Sequence, residues 1–355
     1  MVSTTYKPER QIEKMRILVI TDLYPIKEDE KYTPRTIFNF VKCWQKQGHE
    51  VRVIKPNFLL NSFLRKKPFY PNGQYGIVEN KNYIFPFWKK EKLSFTPDIV
   101  IAHMPSGLLY ADKLGLPFCA SVHSSDIEVL TNPLYRIHFK PRLEKAYRHA
   151  SKIAARSYVL KEKFLKLYPE FEEKTFVAPS GVNNAIERKW NPNEKIKVLT
   201  CGQFIKRKNI DKVILACDKF DNVELTVIGS GKENLKNLSQ KPIFTGQIPH
   251  HQVLEKMKES DIFILPSKNE TFGMVYLEAM ASGCITVCSK GDGIDGIIKD
   301  GENGFLCGGN VENTLRRILE FEDKNQILEN CFKTISNLTE EKTAENYLSN
   351  IINLN

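Results

Sequence analysis

The sequence predicts an α/β protein with two doubly wound parallel sheets, and three observations support this fold class. Short apolar runs alternate with segments in which apolar residues have helical spacing, and the alternation occurs once in each half of the chain. Strands that alternate with helices form parallel βαβ units. The 355 residues are enough for two ordinary domains. We therefore expect two similar α/β domains that face each other across a cleft.

The first predicted domain covers residues 15–190 and follows a polar N-terminal extension at residues 1–14. A helix is predicted over residues 36–47, because Phe38 and Val41 recur at helical spacing. The predicted strands of this domain are residues 15–20, 51–54, 97–102 and 117–122.

The second predicted domain covers residues 191–339, and the polar segment 184–195 is its predicted linker to the first. The last segment, residues 340–355, has the pattern of a helix. Two compact domains of similar size joined by a polar hinge indicate an enzyme with an interdomain cleft. The predicted strands of the second domain are residues 197–200, 223–228, 243–244, 262–265 and 285–288.

The composition is typical of a globular cytoplasmic protein. Hydrophobic residues make up 41% of the chain and charged residues 26%. No apolar run approaches the ~20 residues that a membrane-spanning helix needs, and the N-terminus lacks the apolar middle of a secretory signal. The eight cysteines form no Cys-x-x-Cys pair and none lies at ligand spacing from a histidine, so we expect reduced thiols and no metal site.

The net charge of +10 indicates an anionic partner. Nucleotide phosphates, nucleic acid and an acidic membrane face all fit such a charge. Because the chain has no basic helix of the nucleic-acid-binding type and no RNA-binding signature, we do not expect nucleic acid as a partner.

The segment 261–283 is the most informative part of the chain. Its apolar residues 262–265 suit a strand buried on both faces, a polar turn follows, and a helical pattern begins at Met274. A strand, a turn and a helix start form a natural anion site, because unpaired amides and the positive helix end point outward together. Glu270 in the turn and Glu278 in the helix would repel a phosphate unless they face neutral hydroxyl groups. This arrangement suits a nucleotide sugar.

The same segment resembles the Glu-x7-Glu signature of retaining glycosyltransferases with the GT-B fold, family 4 (group 1). The resemblance includes the flanking Pro-Ser-x-x-Glu-Thr-Phe-Gly and Leu-Glu-Ala-Met-Ala-x-Gly contexts. It implies two Rossmann-like domains and a C-terminal helix at 340–355 that packs back on the first domain. It places Glu270 on the donor sugar and Glu278 on the ribose hydroxyls. It further implies that the distal phosphate is held by the amides of Phe272, Gly273, Met274 and Val275. The alternative is a pair of solvated helix-face glutamates.

The loop after the strand at residues 197–200 is similar to the family pattern Gly-Arg-x-x-x-x-Lys-Gly. It begins at Gly202, and the resemblance places the cation of Lys208 on the donor pyrophosphate, with Arg207 beside it. Gln203 and Asn209 depart from the pattern. In the same way, Gly229 is predicted to lie beside the nucleotide and Ile248 to contact the base.

In the first domain, His123 and Asp126 follow a predicted strand in a loop that looks like the family's His-Gly-x-Asp loop, with Ser124 at the glycine position. The resemblance implies that His123 faces the donor sugar, and that Asp126 positions the histidine or the acceptor. Thr33 and Arg35 occupy the site of the family's glycine-rich phosphate or acceptor loop.

The function implied is transfer of a sugar, with retention, from a nucleotide-diphosphate sugar to a glycan or lipid-linked glycan. A UDP-sugar is expected rather than a GDP-sugar, with neither cofactor nor metal. The Gly-Ile-Asp-Gly-Ile-Ile form at residues 293–298 is similar to enzymes that build bacterial surface polysaccharides such as capsule and lipopolysaccharide. A sugar-nucleotide epimerase on the same scaffold and a non-catalytic nucleotide-sugar-binding subunit remain alternatives.

Two segments, residues 58–70 and 83–93, interleave aromatic and basic side chains. Such a pattern suits the interface of an anionic membrane, and it equally suits aromatic core residues with solvated lysines nearby. The first interpretation would place the protein at the inner face of the cell membrane as a peripheral protein.

Overall fold

The computed structural model describes residues 14–25, 35–58, 69–70, 77–83, 93, 95–192, 194–231, 235–239 and 241–352. The chain divides into two compact units, Met1–Cys119 and Ala120–Asn355. This division does not follow the bounds given above for the domains, 15–190 and 191–339, which stay a prediction.

The first unit contains a mainly parallel sheet with the strand order β3-β4-β2-β1-β5. The strands are β1 (Arg16–Ile20), β2 (Glu50–Phe58), β3 (Phe69–Tyr70), β4 (Ile77–Tyr83) and β5 (Ile99–His103), and the helices are α1 (Thr36–Lys46) and α2 (Met104–Leu114). Ile17 of β1 pairs with Val51 on one side and Ile99 on the other. Because β1 has a neighbour on both edges, its residues 17–20 are fully buried, as a central parallel strand requires.

The second unit begins with three short strands, β6 (Cys119–Val122), β7 (Lys152–Ala155) and β8 (Thr175–Val177). The helices between them are α3 (Ser124–Thr131), α4 (Lys140–His149) and α5 (Tyr158–Leu167). Strands β7 and β8 pair in parallel and were not predicted. Their three or four residues, one of them a lysine, are too short a pattern to be distinguished from a loop in sequence.

The rest of the second unit contains a fully parallel six-stranded sheet with the order β11-β10-β9-β12-β13-β14. The strands are β9 (Ile196–Cys201), β10 (Val223–Ile228), β11 (Ile243–Gly246), β12 (Ile262–Leu265), β13 (Ile285–Ser289) and β14 (Phe305–Cys307). The helices are α6 (Ile210–Cys217), α7 (His250–Lys258), α8 (Met274–Ala281), α9 (Val311–Glu320) and α10 (Lys324–Ser336). The predicted parallel α/β architecture is confirmed, and only β14 among these strands was missed.

The strand order fixes where the loops of this sheet meet. Ile262 of β12 pairs with Val198 of β9, so these two central strands are neighbours although β10 and β11 separate them in sequence. In parallel sheets the carboxyl ends of neighbouring strands share one edge, where ligands bind. The loop after β9 and the turn after β12 therefore lie side by side.

The last helix of the described chain, α11 (Glu340–Ile352), packs on the strands that begin the second unit. The Tyr347 hydroxyl bonds to the hydroxyl of Ser121 on β6, and its ring centroid lies 5.9 Å from that of Phe176 on β8. The chain reaches this helix past Gly181, where a Cβ atom would lie 2.3 Å from the Thr339 carbonyl oxygen.

All eight cysteines are buried, unbridged thiols. Among the described residues, no helix has the length and apolar character needed to cross a bilayer.

Candidate functional site

The turn after β12 is shaped by a buried strand and a required glycine. All four residues of β12 are buried, and α8 begins nine residues later at Met274. Gly273 has φ +90°, and a Cβ atom there would lie 2.5 Å from the ring of Tyr276. That ring is fixed, because its hydroxyl donates a 2.8 Å hydrogen bond to the Leu265 carbonyl. Glycine is therefore the only residue that fits this approach to the helix.

The amides in the first part of the turn are satisfied by Asp292. The amides of Asn269 and Glu270 both donate to its carboxylate, the second at 3.0 Å, and the Gly293 amide donates to it at 2.8 Å. These amides are therefore closed to a ligand. The sequence had predicted an anion pocket over the whole turn, and that prediction was wrong for this half.

The amides at the start of α8 behave differently. Within the described chain, the structure shows no acceptor for the amides of Phe272, Gly273, Met274 and Val275. These are the four groups that the sequence predicted for the distal phosphate. Unpaired amides at a helix start attract an anion through direct hydrogen bonds and through the helix dipole.

Glu270 is the centre of a charged cluster. Its Oε1 atom accepts hydrogen bonds from Lys208 Nζ at 2.6 Å, from Arg207 at 2.8 Å and from the Ser267 hydroxyl at 2.6 Å. Burial alone would raise the pKa of this carboxyl group, but Lys208, Ser267 and Arg207 outweigh burial and lower it. Glu270 is therefore a carboxylate at neutral pH.

The loop after β9 is attached to the turn by hydrogen bonds that hold the two cations in place. Asn209 has φ +50°, and its side chain donates to the Pro266 carbonyl at 2.7 Å. The Lys268 amide donates to the Arg207 carbonyl at 2.8 Å. The stem of Lys208 runs past Gly202, where a Cβ atom would lie 3.7 Å from Lys208 Cδ. Two neighbouring strand ends thus supply the cations and the carboxylate.

Glu278 lies eight residues after Glu270, within α8, and its environment is different. Its Oε1 atom is 3.0 Å from Nε2 of His250, which lies at the start of α7 and is largely exposed. Burial of Cys201 at the end of β9 raises the pKa of that thiol to about 12, and the neighbouring charge of Glu278 adds to the shift while Lys208 opposes it. Glu278 and Lys208 therefore both lie close to the carboxyl end of β9.

Gly229 has a structural reason to be glycine. A Cβ atom at this position would lie 1.9 Å from the Gly202 carbonyl oxygen, and the Gly229 amide donates to the Gly246 carbonyl at 2.9 Å. Gly229 thus allows the loops after β9 and β10 to touch, which places Gly202 beside the cluster. Ile248 is partly buried against the core of this sheet, and its predicted contact with a base stays a prediction.

His123 and Asp126 form a buried cap at the start of α3. The His123 amide donates to Asp126 at 2.9 Å, and the Tyr147 hydroxyl donates to the other carboxylate oxygen at 3.0 Å. Asp126 is fully buried. With both oxygens bonded inside the protein, Asp126 positions the His123 loop, and contact with an acceptor is the less suitable of its two predicted roles.

The His123 imidazole is neutral. Burial, assisted by the positive charge of Arg156, lowers its pKa to about 3 from an ordinary value of 6.5. Next to it, the Ser124 hydroxyl lies 2.6 Å from the Thr271 hydroxyl. Ser124 stands where the family pattern has glycine, and its contact joins the His123 loop to the residue that follows Glu270.

Two other predicted regions have a different standing. Thr33 lies outside the described residues, as does nearly all of the segments 58–70 and 83–93. Arg35 is exposed in the first unit, just before α1, with its guanidinium 5.8 Å from the ring centroid of Phe38. Its predicted phosphate or acceptor contact stays a prediction.

Four side chains of the site were not singled out in the sequence: Ser267, Asp292, His250 and Thr271. Ser267 and Thr271 belong to the quoted signature, so their position was available although their partners were not. Asp292 stands between two glycines after a predicted strand, a sign of a tight turn with a hydrogen-bonding carboxylate. His250 gives no such signal, because its contact with Glu278 depends on how α7 packs beside α8.

Comparison with known proteins identifies the family and the fold. Residues 182–337 match the family model for glycosyl transferases group 1, and residues 33–185 match that for glycosyltransferase family 4. The putative teichuronic acid biosynthesis glycosyltransferase TuaC of Bacillus subtilis is 23% identical over 377 residues, covering 90% of this chain and 94% of that protein.

Two solved structures are similar over nearly the whole chain. Sucrose-phosphate synthase of Thermosynechococcus elongatus has a TM-score of 0.70 at 16% identity and covers 96% of this chain and 99% of its own. HepE of Anabaena, solved in complex with UDP, has a TM-score of 0.67 at 16% identity and covers 96% and 100%. The predicted GT-B fold is confirmed, and the chain belongs to the group 1 and family 4 glycosyltransferases, which are transferase enzymes.

Proposed function

We propose that this protein transfers a sugar, with retention of anomeric configuration, from a UDP-sugar to a glycan or lipid-linked glycan of a bacterial surface polysaccharide. The observation that carries the proposal is the site after β12. Four amides for which the described part of the chain offers no acceptor lie at the start of α8, shortly after a carboxylate that is held by two cations.

The diphosphate fits the open half of the turn. The amides of residues 272–275 would donate to the distal phosphate, and Lys208 would share its charge between that phosphate and Glu270. A cation already fixed at the leaving group stabilises the charge that develops as the glycosyl bond breaks. Because two side-chain cations are present at this point, we propose that transfer needs no metal ion.

The two glutamates suit the two neutral parts of the donor. Among the described residues, Glu278 has one side-chain partner, the exposed His250, so its carboxylate is available to ribose hydroxyls at little cost. Glu270 is ionised and oriented by three donors, which suits a hydroxyl of the transferred sugar. A hydroxyl bound by an ionised, immobilised carboxylate is held by a charge-assisted hydrogen bond.

The proposal of retention is supported by the side chains expected around the anomeric carbon. Glu270 is engaged by Lys208, Arg207 and Ser267, so it is a weak nucleophile, and the neutral His123 imidazole lies on the loop that touches Thr271. We infer departure of the diphosphate and attack of the acceptor on the same face of the sugar.

Two comparisons support the choice of donor and acceptor. HepE is described in complex with UDP, which favours uridine as the base. TuaC is named for teichuronic acid biosynthesis, which favours a bacterial surface glycan as the product.

The test measures nucleotide binding by calorimetry in the presence of a metal chelator. UDP is expected to bind more tightly than GDP or ADP, and Glu278→Ala is expected to weaken UDP binding about tenfold, the loss of one charge-assisted bond. Glu320→Ala, an exposed glutamate on α9, is the matched control and should leave binding unchanged. Equal effects of the two substitutions would place the nucleotide elsewhere.

A second measurement addresses the reaction. Proton NMR of the product formed from a UDP-sugar and a glycan acceptor should show the anomeric configuration of the donor. Inversion would contradict the proposed mechanism. Conversion of the UDP-sugar without any acceptor would instead favour the epimerase alternative, and binding without turnover would favour the non-catalytic subunit.

A further inference from the structure

A second cavity lies beside the turn that carries Glu270. It has a volume of about 500 Å³ and lies at the carboxyl ends of β12, β13 and β14. It is lined by Pro266, Lys268 and Asn269 of that turn and by Asp292, which bonds to the turn, but it does not include residues 272–275 with their open amides. The cavity is therefore adjacent to the proposed donor site and distinct from it.

Four lysines from four separate segments line this cavity, which we call the lysine cavity. They are Lys163 on α5, Lys212 on α6, Lys268 after β12 and Lys290 after β13. All four are exposed, and across the described residues the structure gives none of them an ion-pair partner. Four exposed ammonium groups, with no ion-pair partner in the described chain, therefore surround one concave surface.

The one acid that lines the cavity does not neutralise these charges. Asp292 is buried, and its two oxygens accept the amides of Asn269, Glu270 and Gly293. Its charge is directed into the turn. Four like charges around one concave surface raise the local concentration of anions, because the surrounding protein focuses their field.

The backbone around the cavity favours close approach of a ligand. Gly291 and Gly309 have φ of +74° and +111°, and a Cβ atom at either position would meet no atom within 4 Å. The amides of Gly308 and Gly309, as far as the described chain shows, donate to no acceptor. The cavity thus offers backbone donors as well as four ammonium groups.

We propose that the lysine cavity binds a phosphate or pyrophosphate group of the acceptor, which makes the substrate class a phosphate-bearing glycan. This inference rests on the proposed transferase function. The donor diphosphate already has its own donors, the amides of residues 272–275 and Lys208. An anion in the lysine cavity lies next to Asp292, whose carboxylate holds the Glu270 amide, so an acceptor fixed there is next to the sugar being transferred.

The test uses inorganic pyrophosphate as the probe, titrated by calorimetry into the full chain saturated with UDP. The double variant Lys268→Glu/Lys290→Glu should weaken pyrophosphate binding at least about tenfold, since each charge-assisted contact is worth about that factor. Lys189→Glu/Lys195→Glu, two exposed lysines outside the cavity, makes the same change in net charge and should alter binding less than about twofold, a screened long-range effect.

A milder pair, Lys268→Gln/Lys290→Gln, removes the charges without reversing them and should also weaken pyrophosphate binding. Thermal unfolding of each variant shows whether it is folded. Pyrophosphate that UDP displaces completely, or equal losses in the cavity and control variants, would overturn the proposal.

Two further arms separate the sources of the phosphate. If vesicles of phosphatidylglycerol lose binding in the cavity variant but not in the control, the group is a lipid headgroup at the membrane. If vesicle binding is unchanged while glucose 1-phosphate binding is lost, the group is carried on the glycan. UDP affinity should be unchanged in every cavity variant. A wild-type protein that binds pyrophosphate but not UDP would contradict the donor site and leave the lysine cavity intact.

Discussion

The turn that carries Glu270 has an ionised side chain at its centre, whereas the loop that carries His123 has a neutral one, although both lie at strand ends of the second unit. At the turn, a carboxylate is held by Lys208, Arg207 and Ser267 and stays ionised. At the loop, the imidazole is buried and neutral. A hydrogen bond between Ser124 and Thr271 joins the two.

Under the proposed function, this difference is a division of tasks around a donor. Lys208 and Arg207 lie where a diphosphate would leave, the paired Glu270 carboxylate binds a hydroxyl of the sugar, and the neutral His123 faces the same sugar. Placed charges stabilise a transition state only where charge develops, whereas an unpaired charge beside the sugar would add a desolvation cost. Four predictions test this division, from the largest expected effect to the smallest.

The largest effect is expected for Lys208→Ala. Because Lys208 is mostly buried and bonds to Glu270, its loss should lower kcat/KM for the donor about 100-fold or more, the range for a placed charge at a leaving group. Arg207→Ala is the comparison, since this side chain is 43% exposed and better screened. Steady-state kinetics should show the smaller loss for Arg207, and the opposite order would assign the leaving-group cation to Arg207.

Gly273→Ala should destabilise the fold by about 3 kcal/mol, because positive φ and a clash with the Tyr276 ring act together. Gly246→Ala is the control: its φ is +72°, but an added Cβ atom would meet nothing within 4 Å. It should cost only about 1 kcal/mol, the strain term alone. Equal free energies of unfolding in urea would mean that the Tyr276 ring moves aside freely.

The neutral His123 predicts a dependence of stability on pH. The unfolded imidazole binds a proton near pH 6.5, whereas the folded one stays neutral down to about pH 3. Below 6.5 the unfolded state therefore binds more protons, and stability falls as the pH falls. Between pH 7 and pH 5 the loss should be about 2 kcal/mol.

The control is His123→Asn, which has no group that titrates in this interval. Both proteins are measured at each pH. Between pH 7 and pH 5, the free energy of unfolding of this variant should fall by about 2 kcal/mol less than that of the wild type. Parallel curves for the two proteins would show that His123 is protonated in the folded state, and the contrast between loop and turn would disappear.

The smallest effect is expected for Ser124→Gly, which restores the residue of the family pattern. Removing the hydroxyl breaks the bond to Thr271, so stability should fall by about 1 kcal/mol. Thr271→Val removes the same bond from the other side and also the acceptor of the Ser124 amide at 3.3 Å, so it should cost somewhat more. The double variant should cost little more than Thr271→Val alone, as expected for a shared interaction. Additive losses would mean that the two hydroxyl groups do not interact.

Much of the fold was predictable because its strands are apolar runs of four to six residues with clear ends. The runs at 223–228 and 262–265 coincide with β10 and β12. Strands β3, β4, β7, β8 and β14 were missed. Four of them have two to four residues, which give too little periodicity, and β4 contains a run of four polar residues at 79–82 that hides the strand pattern. Tertiary pairing, not local pattern, makes these segments strands.

The candidate site was also predictable only in part. The motif residues Glu270, Lys208 and the amides of 272–275 were predicted, and the structure brings Lys208 to 2.6 Å from Glu270. The role of Asp292 was not predicted, since it closes half of the turn through contacts with residues 23 and 22 positions earlier in the chain. Neither was the burial that makes His123 neutral.

The sequence by itself determined the alternation of strands and helices, the two glutamates at a helix start, and the glycines that their turns require. These depend on local spacing and backbone sterics, which are written in consecutive residues. Only the tertiary structure decided which amides stay open, which carboxylates are paired and where four lysines surround one cavity. Those outcomes depend on distances between strand ends far apart in sequence, and electrostatic energy varies with distance and burial, not with position along the chain.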